Sequence, residues 1–322
     1  MKNCVQHIFE CLLTIILALV LVQKTGYLLD PKWTQGGLDV ISAFDSLEDN
    51  SIEIIIYGSS HAQTGCDTRV MCDKYGLKAY NYGYNWQAIN TTLLFLEDSL
   101  RSQLPKVVCI ELFYVGNIKQ NTDMDGQIYY TRAIKDFEGK RAYLKQCFGN
   151  DLERYVSYYF PLIMFHDNWT EIISENYSLP NPEKWINSKG YYSFATVTPF
   201  TLPDPSKFSQ LDLKANCVEV LHKMVKLCKD KDINIVFYTN PYIGEYHYND
   251  VMTKFAKENG CAYLNLFNYI DDIGLSGETD FRDAGHLNDS GAGKVASFLA
   301  EYIIEHYDVE HSGPSVVSNG GV

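Results

Sequence analysis

Short, almost wholly apolar runs alternate along this chain with amphipathic helical segments, and that alternation constrains the fold more than any other feature. Residues 51 to 58 read Ser-Ile-Glu-Ile-Ile-Ile-Tyr-Gly, a buried-strand pattern closed by glycine. Lys78–Tyr82 is a second short strand candidate, and Lys106–Phe113 a third. Between them, Ile89, Leu93, Leu96 and Leu100 have helical spacing, which Pro105 ends. Later come a helix over 211–229, a strand over 233–239, a helix over 248–258 followed by Gly260, a strand over 262–266 and a last helix over 290–306. Strands apolar on both faces need helices on both sides, so the pattern predicts a parallel sheet in a three-layer α/β/α sandwich. Sites in such sheets form at the carboxyl ends of the strands.

The amino terminus has a different character. An apolar run from about Ile8 to Val22 is broken only by Glu10, and extension toward Tyr27 and Leu28 gives it the length of a membrane span. No small-x-small cleavage pattern follows Val22, so residues 1–28 read as an uncleaved signal anchor, with a cleaved signal peptide and a buried helix of a soluble domain as the alternatives. Lys2 and the terminal amine place the remaining chain on the extracytoplasmic side, anchored or secreted. Residues 29–50 read as a tether, 51–310 as the main domain and 311–322 as a disordered tail.

Within the main domain, about 115–208 breaks the alternation. This insert is rich in aromatics, including Tyr158, Tyr159, Phe160, Trp169, Tyr177 and Trp185, and reads as largely helical. It is either a subdomain packed on the sheet or a lid that shapes a groove or meets a membrane partner. A net charge of −13, with no basic cluster, speaks against nucleic acid as a partner. The nine cysteines show no zinc spacing and no CxxC pair, and most read as small buried residues. Cys66 and Cys72 are a conceivable disulfide. No metal or cofactor motif is visible.

Two polar groups sit where the fold would place chemistry. Gly58-Ser59-Ser60-His61 follows the first strand, and a serine on such a turn exposes its Oγ while nearby N–H groups face a developing oxyanion. Asp283-Ala284-Gly285-His286 precedes the last helix, capped by Asn288 or Asp289, and an aspartate three residues before a histidine can hold one imidazole nitrogen and free the other as a base. His61 adjoins Ser60 and reads as a pocket or structural residue. Glu111 reads as a pocket acid or a strand-end charge facing solvent, the second being preferred.

Taken together, these blocks resemble the SGNH, or GDSL-type, hydrolases over roughly residues 51 to 306. The resemblance implies a flavodoxin-like fold, Ser60 as nucleophile, His286 as base and Asp283 as its orienting acid. Asn81-Tyr82-Gly83 resembles the second block and implies oxyanion donation from Gly83 beside the Ser60 N–H. The third block is absent: the strand ends in Glu111-Leu112-Phe113-Tyr114, with no asparagine, and Asn85, Asn117 or a tyrosine hydroxyl are the candidate replacements.

The wording Asp-x-x-His-Leu-Asn-x-x-Gly-Ala from Asp283 to Ala292 resembles the membrane-anchored branch that holds the D-alanyl-lipoteichoic acid transfer protein and the alginate O-acetyltransferases. So does Tyr158-Tyr159-Phe160-Pro161-Leu162 with His166 and Trp169. That resemblance implies an esterase or O-acyltransferase acting on an acylated glycan or cell-envelope polymer, beside a membrane-bound O-acyltransferase. The alternatives are a non-catalytic glycan-binding module and a structural partner subunit.

Overall fold

The computed structural model describes residues 2–30, 32–119, 127–173, 181–242 and 246–312. Tyr177 and the tail beyond residue 312 lie outside them. The chain divides into two compact units. Met1–Asp39, Gln120–Ala133 and Leu144–Pro180 form the first; Val40–Lys119, Ile134–Tyr143 and Asn181–Val322 form the second. The insert is therefore shared between the two rather than forming one body.

In chain order the elements are α1 (Lys2–Leu29), α2 (Lys32–Asp45), β1 (Ile54–Tyr57), α3 (Ser60–Gln63), α4 (Thr68–Tyr75), β2 (Ala79–Asn81), α5 (Ile89–Ser99) and β3 (Val107–Glu111). The insert supplies α6 (Gln127–Tyr130), α7 (Phe137–Phe148), α8 (Leu152–Tyr159), α9 (Pro161–Phe165) and α10 (Pro182–Asn187). Then follow β4 (Ser209–Gln210), α11 (Ala215–Asp230), β5 (Asn234–Thr239), β6 (Tyr246–His247), α12 (Asn249–Asn259), β7 (Ala262–Asn265), α13 (Ile270–Ile273) and α14 (Asp289–His306).

The second unit carries the expected sheet. Five parallel strands run in the order β2-β1-β3-β5-β7, and β4 and β6 form a separate parallel pair. Ile54 lies opposite Ala79 on one side and Val107 on the other, so strand order reverses at β1. Successive side chains point to opposite faces. Ile54, Ile56, Val107, Cys109, Val236 and Tyr238 share a core with Met71 of α4 and Val295, Leu299 and Ile303 of α14. On the other face the Tyr57 hydroxyl bonds Ser99 of α5, and Phe237 meets Phe255 of α12. All four β1 residues are buried, and each buried aliphatic side chain contributes about 1.5–3 kcal/mol.

Residues 29–50, expected as a tether, contain α2. Its Val40, Ile41, Ala43 and Phe44 are buried, and Phe44 stacks on Tyr82 at 4.1 Å. In the first unit, α1 is one continuous helix. Cys4–Gly26 has mean hydropathy 2.3 and is long and apolar enough to cross a membrane, and the helix is exposed from Cys4 to Leu21. All nine cysteines are free, Cys66 and Cys72 included, and five of them are buried.

Candidate active site

The reversal of strand order places a crevice beyond the carboxyl ends of β1 and β3, and the Gly58-Ser59-Ser60-His61 turn lies there. Gly58 has φ of +140°, and a Cβ on it would stand 2.8 Å from the Cβ of Glu111 and 3.0 Å from that of Ala62. Only glycine fits that backbone and that space. Ser59 caps α3, its Oγ accepting from the His61 N–H at 3.3 Å, and Ser60 opens the helix. Three side chains from the carboxyl ends of neighbouring strands hold this turn. Asn81, ending β2, donates from Nδ2 to the carbonyls of Ala62 and Cys66 at 2.7 and 3.0 Å. Asn240, just past β5, donates to the His61 carbonyl at 2.7 Å. Glu111, ending β3, accepts from the Phe113 N–H at 3.0 Å and from Ser59 Oγ at 3.5 Å.

The histidine comes from the loop before α14. An antiparallel bridge between Phe281 and Leu287 closes the loop, and the Arg282 N–H donates to the His286 carbonyl at 3.0 Å. Asn288 caps α14 through the Gly291 N–H at 3.1 Å. Asp289 accepts from Tyr191 Oη, Ser193 Oγ and the Phe194 N–H, each at 2.7 Å, so the returning end of the insert pins this loop.

Ser60, His286 and Asp283, 226 positions apart at the widest, meet in one hydrogen-bonded chain. Ser60 Oγ and His286 Nε2 are 2.8 Å apart. His286 Nδ1 and Asp283 Oδ1 are also 2.8 Å apart. The same Oδ1 accepts the N–H groups of Gly285 and His286 at 2.9 and 3.0 Å. Partial burial raises the Asp283 carboxyl, but the His286 and Gly285 bonds and the charges of His286 and Arg282 more than reverse this and hold it below its ordinary value. An ionised carboxylate only accepts, so the imidazole carries its proton on Nδ1 and turns the Nε2 lone pair to the Ser60 hydroxyl. That is the arrangement in which a neutral histidine can take a serine proton.

One expectation needs correction, and a second gains a condition. Glu111 does not face solvent. It is 3% exposed, beneath the Gly58 turn, and burial pushes its carboxyl up to about 8, against a smaller pull from the N–H groups of Phe113, Asn240 and Leu112 and the Ser59 hydroxyl. A charged residue at the end of a central strand is covered here because the α3 turn folds back over it. Gly83 does pack on α3, where an added Cβ would lie 2.9 Å from that of Ala62, but its N–H donates to Asn81 Oδ1 at 3.0 Å. That donor is therefore committed within its own loop. Asn85 and Asn117 are both exposed. The Ser60 N–H has no acceptor among the described residues.

His61 has surroundings that the sequence does not reveal. Its ring stacks on Phe113 at 3.6 Å, meets Tyr242 edge-on at 5.9 Å and lies 4.7 Å from the His286 ring. Burial first, then the charges of His286 and Arg282, drive its pKa well below the usual histidine value, so it is neutral at pH 7. Arg282 lies over Phe194, its guanidinium carbon 3.7 Å from the ring centroid, with Nε 3.2 Å from Asp283 Oδ2. Phe113, Tyr242 and Phe194 come from three separate segments, and no local pattern announces them. Among the described residues no group of three or more His, Cys, Asp or Glu side chains is arranged to hold a metal. A cavity of about 440 Å³ beside Lys229, Asn234, Cys261 and Tyr307 opens at the amino ends of β5 and β7, away from these groups.

No family model matches the chain, and no curated protein does. Among solved structures, it is similar to LAE5, an alpha/beta hydrolase from the metagenome of Lake Arreo, Spain. The identity is 11%, the coverage 79% of this chain and 95% of that one, and the TM-score 0.38. It is likewise similar to a catalytic mutant of Axe2, an acetylxylan esterase from Geobacillus stearothermophilus. There the identity is 12%, the coverage 80% and 95%, and the TM-score 0.39. At this level of overlap, neither likeness bears on what this chain does.

Proposed function

We propose that this protein is a serine-dependent esterase or O-acyltransferase that works through an acyl-enzyme on Ser60. The observation that carries the reading is the unbroken chain from Ser60 Oγ through His286 to Asp283, with both links at 2.8 Å. In the first half-reaction, His286 Nε2 takes the hydroxyl proton as Ser60 Oγ attacks the ester carbonyl. The same proton then goes to the departing alkoxide, and the acyl group stays on Ser60. In the second half-reaction, His286 Nε2 takes a proton from water or a sugar hydroxyl as that oxygen attacks the acyl carbon; the bond to Ser60 Oγ then breaks, and His286 returns the proton to Oγ. The Ser60 N–H at the start of α3 is the oxyanion donor we assign. A second donor would be Gly83, whose N–H would have to exchange its Asn81 bond, or a group brought by substrate closure. One such donor is worth about 2.7–4 kcal/mol.

The acyl substrate class is part of the proposal. The blocks around Asp283–Ala292 and Tyr158–Leu162 support a cell-envelope glycan or polymer, acting beside a membrane-bound O-acyltransferase, with α1 as anchor. A non-catalytic SGNH-like module that binds such a glycan is the competing reading, and the engaged Gly83 N–H is the observation that favours it. Purified full-length protein, assayed with p-nitrophenyl acetate and with acetylated glycans, separates the two. Enzyme activity that disappears in Ser60→Ala and His286→Ala, with circular dichroism unchanged, supports catalysis. Ester turnover in Ser60→Ala at the wild-type rate rules out the assignment, and glycan binding without any turnover selects the module.

A further inference from the structure

Inside the first unit, the last turns of α1 are built into the fold. Gln23 Nε2 donates to the Tyr159 carbonyl at 2.7 Å, and Asn168 Nδ2 donates to the Leu29 carbonyl at 3.2 Å. Gly26 sits so close to α9 that an added Cβ would be 2.8 Å from the Leu162 nitrogen. Leu29 is buried, whereas the helix from Cys4 to Leu21 is exposed throughout.

The segment that receives α1 is itself apolar on its outer side. In α8, Leu152, Val156 and Tyr159 are spaced four and three residues apart and share one helix face, exposed by 74%, 38% and 45%. The opposite face, with Ser157 and Tyr158, is buried. There Tyr158 packs on Tyr129 and Phe148. Ile163 of α9 and Trp169 extend the apolar exposure at 52% and 61%. Glu153, His166 and Asp167 stand exposed beside it. A helix in water shows the reverse pattern.

The length of α1 says what covers this surface. Its charge-free apolar run, Cys11–Val22, spans only about 18 Å, against a hydrocarbon core of about 30 Å. With Glu10 kept at the far boundary, a span of about 20 residues from Cys11 ends near Asp30. That draws residues 22–29, and the α8–α9 segment packed on them, down to the near boundary. We propose that α8, α9 and the turns through Trp169 form an interfacial platform whose apolar face lies in the headgroup–acyl boundary of a lipid bilayer, around the point where α1 emerges. Exposed Tyr and Trp beside exposed Leu, Val and Ile, edged by charge, suit that layer. The inference is independent of the reading of Ser60.

Full-length protein in nanodiscs of phosphatidylcholine, with a fraction of the lipid brominated near the top of the acyl chains, tests it without a protein partner. Tryptophan fluorescence is read for the wild type, Trp169→Phe and Trp86→Phe. We expect quenching to fall by half or more in Trp169→Phe, with Trp86→Phe as the control for removing a tryptophan. Adding Leu152→Trp to the Trp169→Phe background should restore it; position 152 is exposed enough to accept the ring. Quenching unchanged by Trp169→Phe, or not restored by Leu152→Trp, overturns the proposal and leaves a protein partner as the cover of that face.

Discussion

Replacing Asp283 by asparagine separates the two tasks of that carboxylate, and the structure sets the size of the effect. Where a triad aspartate is held only by its histidine, asparagine can rotate its amide and force the wrong tautomer. Here Oδ1 accepts three donors, the N–H groups of Gly285 and His286 and the His286 ring nitrogen. An asparagine oxygen is drawn to the same place, so imidazole orientation survives and only the charge is lost. Opposite charges about 4 Å apart interact by roughly 1 kcal/mol in water and roughly 4 kcal/mol at an effective dielectric of 20. The Asp283 side chain is 49% exposed, so a middle value of about 2 kcal/mol applies. That lowers kcat about 30-fold. Asp283→Ala also leaves Gly285 and His286 N–H groups unpaired and the ring free to turn, so its loss should be at least tenfold greater. Steady-state kcat for p-nitrophenyl acetate, measured for both variants from pH 6 to 9, gives the answer. Equal losses in the two would show that charge, not orientation, is what Asp283 supplies, and an unaffected Asp283→Asn would deny the charge any part.

Other consequences follow from the residues that hold the α3 turn. Gly58→Ala combines a forbidden backbone with a Cβ 2.8 Å from Glu111, and should cost roughly 3 kcal/mol in urea unfolding. Asn81→Ala leaves the Ala62 and Cys66 carbonyls and the Gly83 N–H without their partner, for a loss of about 3 kcal/mol, read the same way. Glu111 has its folded pKa raised from 4.5 to about 8. Its contribution is therefore most favourable below pH 4.5, declines while the unfolded chain ionises and the folded one stays protonated, and levels off above about pH 8. Glu111→Gln removes that slope, so denaturation at pH 5.5, 6.5 and 7.5 should show the variant gaining on the wild type by up to about 1.4 kcal/mol per pH unit. A constant difference across that range would place the Glu111 carboxyl in water.

Much of this architecture is legible in the chain because burial on both faces leaves a plain mark. The Ile54–Ile56 triplet and the Val107–Ile110 run name central strands, and the loop before α14 announces itself through Asp283, His286 and the Asn288 cap. What escaped the sequence was set by tertiary contact. Lys32–Asp45 carries Gly36-Gly37, a pair that disfavours a helix, yet it is helical; Tyr130 packs where a Gly37 side chain would be. Glu111 looks like an exposed charge until the Gly58 turn covers it. Gly83 looks like a free donor until the side chain two residues before it turns back to accept its N–H. The neutral His61 depends on Phe113 and Tyr242, each brought by a different strand end.

The central claim is that His286 makes Ser60 a nucleophile. Intact-mass analysis with peptide mapping, after exposure to a small fluorophosphonate and separately after acid quench of p-nitrophenyl acetate turnover, reads it directly. One covalent adduct per chain is expected, on Ser60, formed far more slowly in His286→Ala. An unlabelled Ser60 in protein that hydrolyses ester, or an adduct on another residue, contradicts it.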